Sequence, residues 1–585
     1  MTTGLASMLP AREVLWRAST WQWGLFIVVA TLVLVPSSLL IIGSFSTAEL
    51  PTDLSLSDLT LENYAVVWLD PRTYDILYNT TVYVVGSTCI GVSLAATLAY
   101  LVERTDIPGK IWIYAGVPLA LAIPGLLQAM VWVLLLSPRS GFINLTLIDA
   151  FGLAEAPINI YSLGGMIFVE GLRLVPTAFL MLVPLLRSMD PALEDAAATA
   201  GARPVSVARK VTLGLMMPGL VAVVIYQGII ALEVFEIPGI LGMPVNIHVF
   251  STRIYQLLAE AEFLPTYGRA NALAMMYLVI AVVATYFYGR VIRSAERFTV
   301  VTGKGYRPRL SPLGRWRTPA TVLVGVFLFL SIALPFLVLL YTSLIPILQQ
   351  PSLQAFAGMS FKWYEWVFGY SRFGSTLTNT LLMVFVTATL VAVLSFVISY
   401  TVVRSKFVAR RLLDQIAFLP HAVPGVVLGL AFLWVLLEFD KTTGFQVFGS
   451  IWSLVIALTV SFLAYGTRTM NAAMLQIHKE LEEAALVSRA VPWRVLWRVF
   501  VPLVMPSLVG IWIYIVLLAV RLAGIPLILY EGRNNEVLAV LIWYLWDDGE
   551  IEGVAAIGVM LMISLFGLVF LVRLLGFGRN LAQTK

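Results

Sequence analysis

The chain has 585 residues, of which 59% are hydrophobic and only 12% are charged, and its mean hydropathy is +0.90. Apolar runs of about 20 residues recur along the whole length, which is typical of a helical protein that crosses a membrane many times. No polar segment is long enough for a soluble domain. The net charge of +5 is therefore attributed to loops on one side of a membrane rather than to a nucleic-acid-binding surface.

Twelve membrane spans are predicted, six in each half of the chain. They cover 23–45, 79–102, 111–136, 162–186, 214–236 and 270–292, and then 319–344, 376–402, 412–437, 450–473, 503–530 and 553–577. Prolines such as Pro124 and Pro424 fall inside these spans, where neighbouring helices can satisfy the freed backbone carbonyls. With both termini inside, 28 of the 38 Lys and Arg residues lie on the inner side. The positive-inside rule thus predicts cytoplasmic N- and C-termini.

Short sequences recur between the two halves. "NTTVYVV" and "AIPGLLQAM" in the first half resemble "NTLLMVF" and "AVPGVVLGL" 300 residues later, and "EVFEIPGIL" resembles "RLAGIPLIL" at an offset of 288. The pattern predicts two parallel six-span units, one at 1–295 and one at 319–585, joined by a cytoplasmic linker at 296–318. We expect the prolines of "IPG" and "IPL" to end the fifth and eleventh spans.

A polar, Ala-rich segment follows the fourth span of each unit, at about 190–214 and about 478–502. In the first copy, "LEDAAATAG", Glu194 and Asp195 stand in the first turn of a predicted helix, where carboxylates favour the helix dipole. The alanines favour helix, and Gly201 suits a left-handed helix end. The second copy, "LEEAALVSR", begins at Leu481. The repeat predicts a short helix, a turn and a second helix on the inner face.

Both copies resemble the E-A-A…G coupling motif of the permease subunits of bacterial ATP-binding-cassette (ABC) importers. The first copy carries Asp in place of the Glu, and the second carries Arg in place of the Gly. The resemblance implies an all-α fold of about twelve spans, of the type I importer permease kind. It also implies that a separate ATPase docks on the coupling residues, which are Glu194, Asp195, Ala196, Ala197, Gly201, Glu482, Glu483, Ala484, Ala485 and Arg489.

The same resemblance implies the partners and the location. Two copies of a cytoplasmic ABC ATPase would hold ATP and Mg, a periplasmic or lipid-anchored binding protein would deliver substrate, and the chain would span the bacterial inner membrane. The chain itself shows no G-x-x-x-x-G-K-[ST] phosphate loop, so we expect it to bind no cofactor and to be a transport subunit rather than an enzyme. No nucleic-acid partner is expected.

Five ionisable residues within predicted spans are candidates for the translocation pathway: Glu170, Arg173, Glu233, Glu236 and Arg521. Glu170 and Arg173 are three residues apart and can pair on one helix face. Glu233 and Arg521 occupy equivalent positions in the two units, and we hypothesise that they meet in a gate. Alternatively, each is satisfied separately. Glu236, on the same predicted helix face as Glu233, is the candidate for contact with a cationic substrate or metal.

The chain most resembles the fused permeases that serve ferric-ion-binding proteins, and its acidic outer loops and intramembrane acids are compatible with a hard cation. They are equally compatible with a polyamine or thiamine, and an aminophosphonate is a further alternative for the same class of importer. A secondary transporter driven by an ion gradient is the alternative class, but it has no reason to repeat the E-A-A helix. A membrane-embedded enzyme would need clustered catalytic His, Cys or acidic residues, which the sequence does not show.

Overall fold

The computed structural model describes residues 20–48, 50–53, 56–189, 192–259, 266–295, 310–478, 480, 481, 483, 487 and 492–574. Within those ranges the regular secondary structure is helical, and extended backbone pairs only in two isolated bridges, Ser46 with Leu59 and Thr105 with Ser311. In the part of the chain that the structure describes, ten helices are long and apolar enough to cross a membrane, or twelve segments if two bent helix pairs are each counted as one span. The predicted class, an all-α membrane protein with about twelve spans, is confirmed.

Each predicted span coincides with one of these helices or bent pairs. The ten long helices are Thr20–Ser44, Pro71–Arg104, Leu163–Arg187, Ala208–Glu233, Tyr267–Ile292, Gly314–Leu344, Phe373–Arg404, Ile451–Leu475, Leu496–Ala519 and Ile551–Leu571. Helix continues to Ala295 after the sixth of the twelve spans and to Leu574 after the last. Three of the long helices contain a wider π-helical turn, at Ala208–Thr212, Phe329–Ala333 and Leu496–Phe500.

The third and ninth spans are broken rather than continuous, which corrects the prediction. Lys110–Ala122 meets Gly125–Leu136 at 94°, and Arg410–Ala422 meets Gly425–Thr443 at 112°. At each break the residue before the proline is extended, as is the proline itself. The residue before a proline is disfavoured in the helical region, which makes each of these prolines a place where the helix can bend. All twelve residues of Gly125–Leu136 are buried.

The fifth and eleventh spans end earlier than predicted. The fifth helix stops at Glu233, Val234 is extended, and a separate buried helix, Glu236–Leu241, follows. In the second repeat the helix stops at Ala519 and the buried helix Gly524–Leu529 follows. The prolines of "IPG" and "IPL" thus lie inside short helices instead of ending the spans. Glu236 and Arg521 consequently lie just beyond the spans, and Glu233 and Glu236 do not share one helix.

Shorter helices connect the spans. The α-helices are Glu62–Leu69, Phe142–Phe151, Ala192–Thr199, Pro204–Val207, Phe250–Ala259, Leu353–Ala357, Lys362–Gly369, Pro492–Val495 and Leu538–Asp547. The 3-10 turns are Pro51–Asp53, Leu56–Asp58, Ala120–Ala122, Met243–Val245, Gly314–Trp316 and Leu419–Ala422.

Two compact units are present, and each takes helices from both sequence repeats. One unit comprises Met1–Val66, Leu257–Leu278 and Gly374–Val540, and within it Thr20–Ser44 packs against the broken ninth span. The other comprises Val67–Gln256, Val279–Phe373 and Leu541–Lys585, and within it Leu334–Leu344 packs against Ile551–Leu574. The compact units therefore differ from the predicted sequence units in the placement of the first span of each repeat, and the predicted repeat boundaries stay a prediction.

Equivalent hydrogen bonds recur in the two repeats. Asn79 Nδ2 donates to the His248 carbonyl at 3.3 Å, and Asn379 Nδ2 donates to the Glu536 carbonyl at 3.1 Å. The threonine after each asparagine accepts a backbone N–H bond at the start of the next short helix, as shown by Thr80 with Phe250 and Thr380 with Leu538. The recurring "NT" pair thus holds the segment after the fifth or eleventh span against the second or eighth.

Candidate functional site

The first polar segment forms the helix Ala192–Thr199, which we name the connector helix. Gly201 has φ +87°, the left-handed conformation that its sequence position predicts. The Ala202 N–H donates to the Ala197 carbonyl and the Gly201 N–H donates to the Ala198 carbonyl, each at 3.0 Å. Together these two bonds are a Schellman cap, which satisfies the last carbonyls of the connector helix. Residues 190 and 191, with which the predicted polar segment begins, lie outside the described residues.

Glu194 of the connector helix faces into the protein. Its carboxylate pairs with the guanidinium of Arg104, with Nε 3.1 Å from Oε2, and it accepts a bond of 2.7 Å from the Thr212 hydroxyl. The Arg104 side chain is only 3% exposed and also donates to the Leu186 carbonyl at 3.0 Å. The connector helix is thereby tied to the ends of the second, fourth and fifth spans. These contacts place Glu194 to position the connector helix, and its predicted role in docking an ATPase stays a prediction.

The opposite face of the connector helix is exposed. Leu193 is 53% exposed, and Ala196 and Thr199 are also exposed, so the three residues make a row at helical spacing. Asp195 and Ala197 are half-buried beside this row. A small-residue face with one projecting leucine can fit a shallow apolar groove on another protein.

The second polar segment, at about 478–502, is named the second connector segment, and the structure describes it only in part. Glu482, Ala484, Ala485 and Arg489 lie outside the described residues, and Glu483 is helical and exposed.

Arg404, 300 residues after Arg104, shows how the span ends differ in the second repeat. It is 8% exposed and donates to the Met474 carbonyl at 2.6 Å and to the Ile477 carbonyl. Its guanidinium carbon lies 5.4 Å from the ring centroid of Phe500, which stands where the first repeat has Thr212. The buried arginine that ends the second or eighth span thus contacts different partners in the two repeats.

The predicted Glu170–Arg173 pair forms within the helix Leu163–Arg187. Arg173 Nε and Nη2 each donate to a separate Glu170 carboxylate oxygen at 2.7 Å. The Glu170 side chain is fully buried and that of Arg173 is 18% exposed. Two parallel charge-assisted bonds hold this pair in one geometry.

Charged residues of the first repeat gather at the break in the third span. A Cβ on Gly125, the first residue after the break, would lie 3.4 Å from Arg173 Cδ and 3.8 Å from Glu236 Cβ. The positions 288 residues after Glu170, Arg173 and Glu236 are the uncharged Leu458, Ser461 and Gly524. The two repeats therefore differ in charge at equivalent places, with two acids and one base in the first.

The proposed Glu233–Arg521 gate contact stays a prediction, since the two residues belong to different compact units. Both side chains are half-buried. If they pair, reversing both charges (Glu233→Arg with Arg521→Glu) restores the transport that each single reversal abolishes, measured as substrate uptake into vesicles. A double variant no better than the single variants contradicts the pairing.

No metal-binding group of three His, Cys, Asp or Glu side chains is formed by the part of the chain that the structure describes. Glu236 is 8% exposed, and it lies next to Gly125, as Arg173 does. A cation that reaches Glu236 therefore also meets the positive charge of Arg173. The role of Glu236 as a substrate contact stays a prediction.

Sequence reasoning missed Arg104 and Thr212, which hold the connector helix, and Arg404, which is the equivalent of Arg104 in the second repeat. The signal was present, because Arg104 and Arg404 are separated by the same 300 residues as the "NT" and "PG" sequences and each ends a long apolar span. This repeat did not distinguish the two arginines from others, because basic residues are common at the inner ends of spans.

A comparison with known protein families places part of the chain among membrane transport components. Residues 393–580 match the model of the family described as "Binding-protein-dependent transport system inner membrane component". The matched part begins inside the eighth span and includes the ninth to twelfth spans and the second connector segment. The sequence resemblance to the permease subunits of ABC importers is confirmed, and the matched family is one of transport components rather than enzymes.

Individual relatives extend the similarity over most of the chain. The ferric transport system permease protein FbpB of Actinobacillus pleuropneumoniae is 24% identical over 497 residues, which span 83% of this chain and 68% of that protein. The Fe(3+)-transport system permease protein FbpB 2 of Haemophilus influenzae is 20% identical over 497 residues, spanning 84% and 88%. Another Haemophilus influenzae relative with a ferric transport name is 25% identical over 428 residues, spanning 72% of this chain and 64% of its own length. The chain is thus a multi-pass inner membrane protein that is similar, over most of its length, to permeases of ferric transport systems.

Proposed function

We propose that the chain is the membrane subunit of an ATP-driven importer that moves ferric iron into the cytoplasm. The observation that carries the proposal is the connector helix, whose outer face is exposed while Glu194 and Arg104 tie its inner face to three spans. A push or pull on the exposed face is transmitted to those spans, because a buried, hydrogen-bonded ion pair resists being separated.

Coupling to ATP hydrolysis would be external to the chain. Two copies of a cytoplasmic ATPase, carrying ATP and Mg, would dock on the connector helix and on the second connector segment. Their closure would rock the spans between states open to either side of the membrane, and a periplasmic binding protein would supply substrate. The N- and C-termini lie in the cytoplasm in this arrangement, as the distribution of Lys and Arg predicts.

Ferric iron is supported by the ferric transport names of the relatives and by the excess of acids among the five ionisable residues predicted in the spans. Three of the five are acids, Glu170, Glu233 and Glu236, and two are bases, Arg173 and Arg521. Oxygen ligands are those that hard cations prefer. Thiamine, a polyamine or an aminophosphonate remains the alternative cargo for the same importer, and an ion-gradient-driven transporter the alternative class.

The coupling role is tested by replacing Asp195 and Glu483 together with alanine. We expect ATP-dependent uptake of radioactive ferric iron into vesicles, with the binding protein and the ATPase present, to be lost while the chain stays in the membrane. A matched control removes two exposed acids from other loops, Asp58→Ala with Glu365→Ala, and should leave uptake unchanged. Full uptake by the Asp195/Glu483 variant, or uptake that needs no ATP, contradicts the importer.

The cargo is tested separately in the unaltered complex. Excess thiamine, spermidine or 2-aminoethylphosphonate should not reduce the uptake of ferric iron from its binding protein. Uptake of one of these compounds in place of iron would reject the iron assignment and leave the importer class standing.

A further inference from the structure

An open pocket of about 460 Å³ lies at the end of the helices Phe373–Arg404 and Ile451–Leu475, beside Arg410–Phe418. This is the end that the charge distribution predicts to face the cytoplasm. Val402, Val403 and Leu475 form apolar walls, and Arg410 and Arg411 add two positive charges. A pocket with apolar walls and two guanidinium groups suits a ligand that is anionic at one end and apolar at the other.

The one carboxylate that lines the pocket does not neutralise these arginines. Asp414 accepts bonds from Arg468 Nη1 at 3.2 Å and from Asn471 Nδ2 at 3.0 Å. Arg410 Nη1 donates to the Ser405 carbonyl at 2.9 Å, and Arg411 is exposed. The pocket therefore keeps a positive charge available to a ligand.

The backbone adds to the positive electrostatic potential of the pocket. Arg410 and Arg411 occupy the first turn of their helix, and its N-cap residue, Ala409, makes no side-chain capping bond. The helix dipole is positive at this end, so two cations there repel it unless an anion is present. Backbone N–H groups at a helix start bind phosphate well.

The first repeat provides an internal comparison, because there an acid and a base at the equivalent positions pair with each other. Glu103 accepts from Arg187 Nε at 2.7 Å and from the Tyr114 hydroxyl at 2.6 Å. In the second repeat Val403 stands in place of Glu103 and Leu475 in place of Arg187. The second repeat thus lacks the acid at the position of Glu103, and it has Arg410, Arg411 and Asp414 where the first repeat has Lys110, Ile111 and Tyr114.

Aromatic residues place the pocket at the depth of lipid headgroups. Trp23 packs edge-on against Phe407 with 5.1 Å between ring centroids, and Phe407 lies in the loop that leads to Arg410. Trp21 and Trp23 are 46% and 45% exposed. Exposed tryptophans at a span end are typical of the membrane–water interface.

We propose that this pocket binds the phosphate of an anionic phospholipid from the inner leaflet. Arg410 and Arg411 would hold the phosphate oxygens, and the apolar walls at Val402, Val403 and Leu475 would contact the first part of an acyl chain. Basic pockets between spans on the cytoplasmic side are suited to such headgroups. Guanidinium groups match phosphate oxygens in pairs.

The test uses the full chain in neutral detergent, titrated with short-chain phosphatidylglycerol and read by native mass spectrometry. We expect saturable binding of phosphatidylglycerol and at least tenfold weaker binding of phosphatidylcholine. Arg411→Gln should weaken the phosphatidylglycerol affinity about fivefold, the usual effect of one basic residue near an anionic surface. Val403→Glu, which restores the acid of the first repeat, should weaken it at least as much without removing an arginine.

Lys110→Gln, at the first-repeat position equivalent to Arg410, is the matched control and should leave the affinity unchanged. Equal affinities for phosphatidylglycerol and phosphatidylcholine, or equal losses in Arg411→Gln and Lys110→Gln, would overturn the proposal. So would displacement of phosphatidylglycerol by millimolar inorganic phosphate, since the ligand would then be a free phosphate. If Val403→Glu does not fold, the exposed Arg411→Gln still decides the outcome. Transport is not measured, so the result is independent of the proposed cargo.

Discussion

Replacing Glu194 with alanine is expected to lower the free energy of unfolding by about 3 kcal/mol and to uncouple transport from ATP hydrolysis. The Arg104 side chain, 3% exposed, would keep its charge and lose its carboxylate, and the Thr212 hydroxyl would lose its acceptor. Removing one partner of a buried pair costs more than the pair contributes, because the remaining charge is desolvated without compensation. The 14% exposure of Glu194 places the effect at the lower end of that range. Denaturation in sodium dodecyl sulfate, followed by tryptophan fluorescence, measures the change.

Asp195→Ala is the matched control for stability, because Asp195 is adjacent, half-buried and forms no ion pair with a described residue. It should change the free energy of unfolding by less than about 1 kcal/mol. The double variant Arg104→Met with Glu194→Ala should be more stable than Glu194→Ala alone, since no buried charge is left unpaired. Equal losses in Glu194→Ala and Asp195→Ala would show that the ion pair does not hold the connector helix.

Glu170→Ala is expected to destabilise the protein by about 4 kcal/mol. Arg173 would lose both of its 2.7 Å bonds within a largely apolar span. Arg173→Met should cost less, because a carboxyl group can take up a proton whereas a guanidinium keeps its charge. The same denaturation measurement compares the two variants.

The second repeat offers the control for this prediction. Ser461 stands at the position equivalent to Arg173, and Ser461→Ala should change the free energy of unfolding by less than about 1 kcal/mol. Replacing both partners together, Glu170→Leu with Arg173→Met, should recover most of the stability lost in Glu170→Ala. If Arg173→Met proves as harmful as Glu170→Ala, the arginine has a role beyond the pair.

The apolar segments were readable from the sequence because burial in lipid requires about 20 apolar residues in a row, whatever the neighbouring helices do. The same reasoning located the connector helix and its left-handed end at Gly201, because capping depends on residues adjacent in the chain. The Glu170–Arg173 pair was also local, since three residues separate its members on one helix.

Breaks in the spans could not be read in this way. Pro176 lies within the continuous helix Leu163–Arg187, whereas Pro124 and Pro424 each mark a bend of more than 90°. A proline only weakens a helix locally, and whether the helix continues depends on what packs around it. The exchange of the first span of each repeat between compact units is likewise a matter of packing between distant segments.

The sequence by itself determined a many-span helical membrane protein with a repeated polar connector, because length, apolarity and capping act over a few turns of helix. Only the tertiary structure decided which acid of "LED" faces inward. Glu194 and Asp195 are neighbours with the same charge, and the rotation of the connector helix about its axis selects Glu194. That rotation is set by Arg104 and Thr212, which lie 90 residues before and 18 residues after Glu194, and no local pattern can specify so distant a contact.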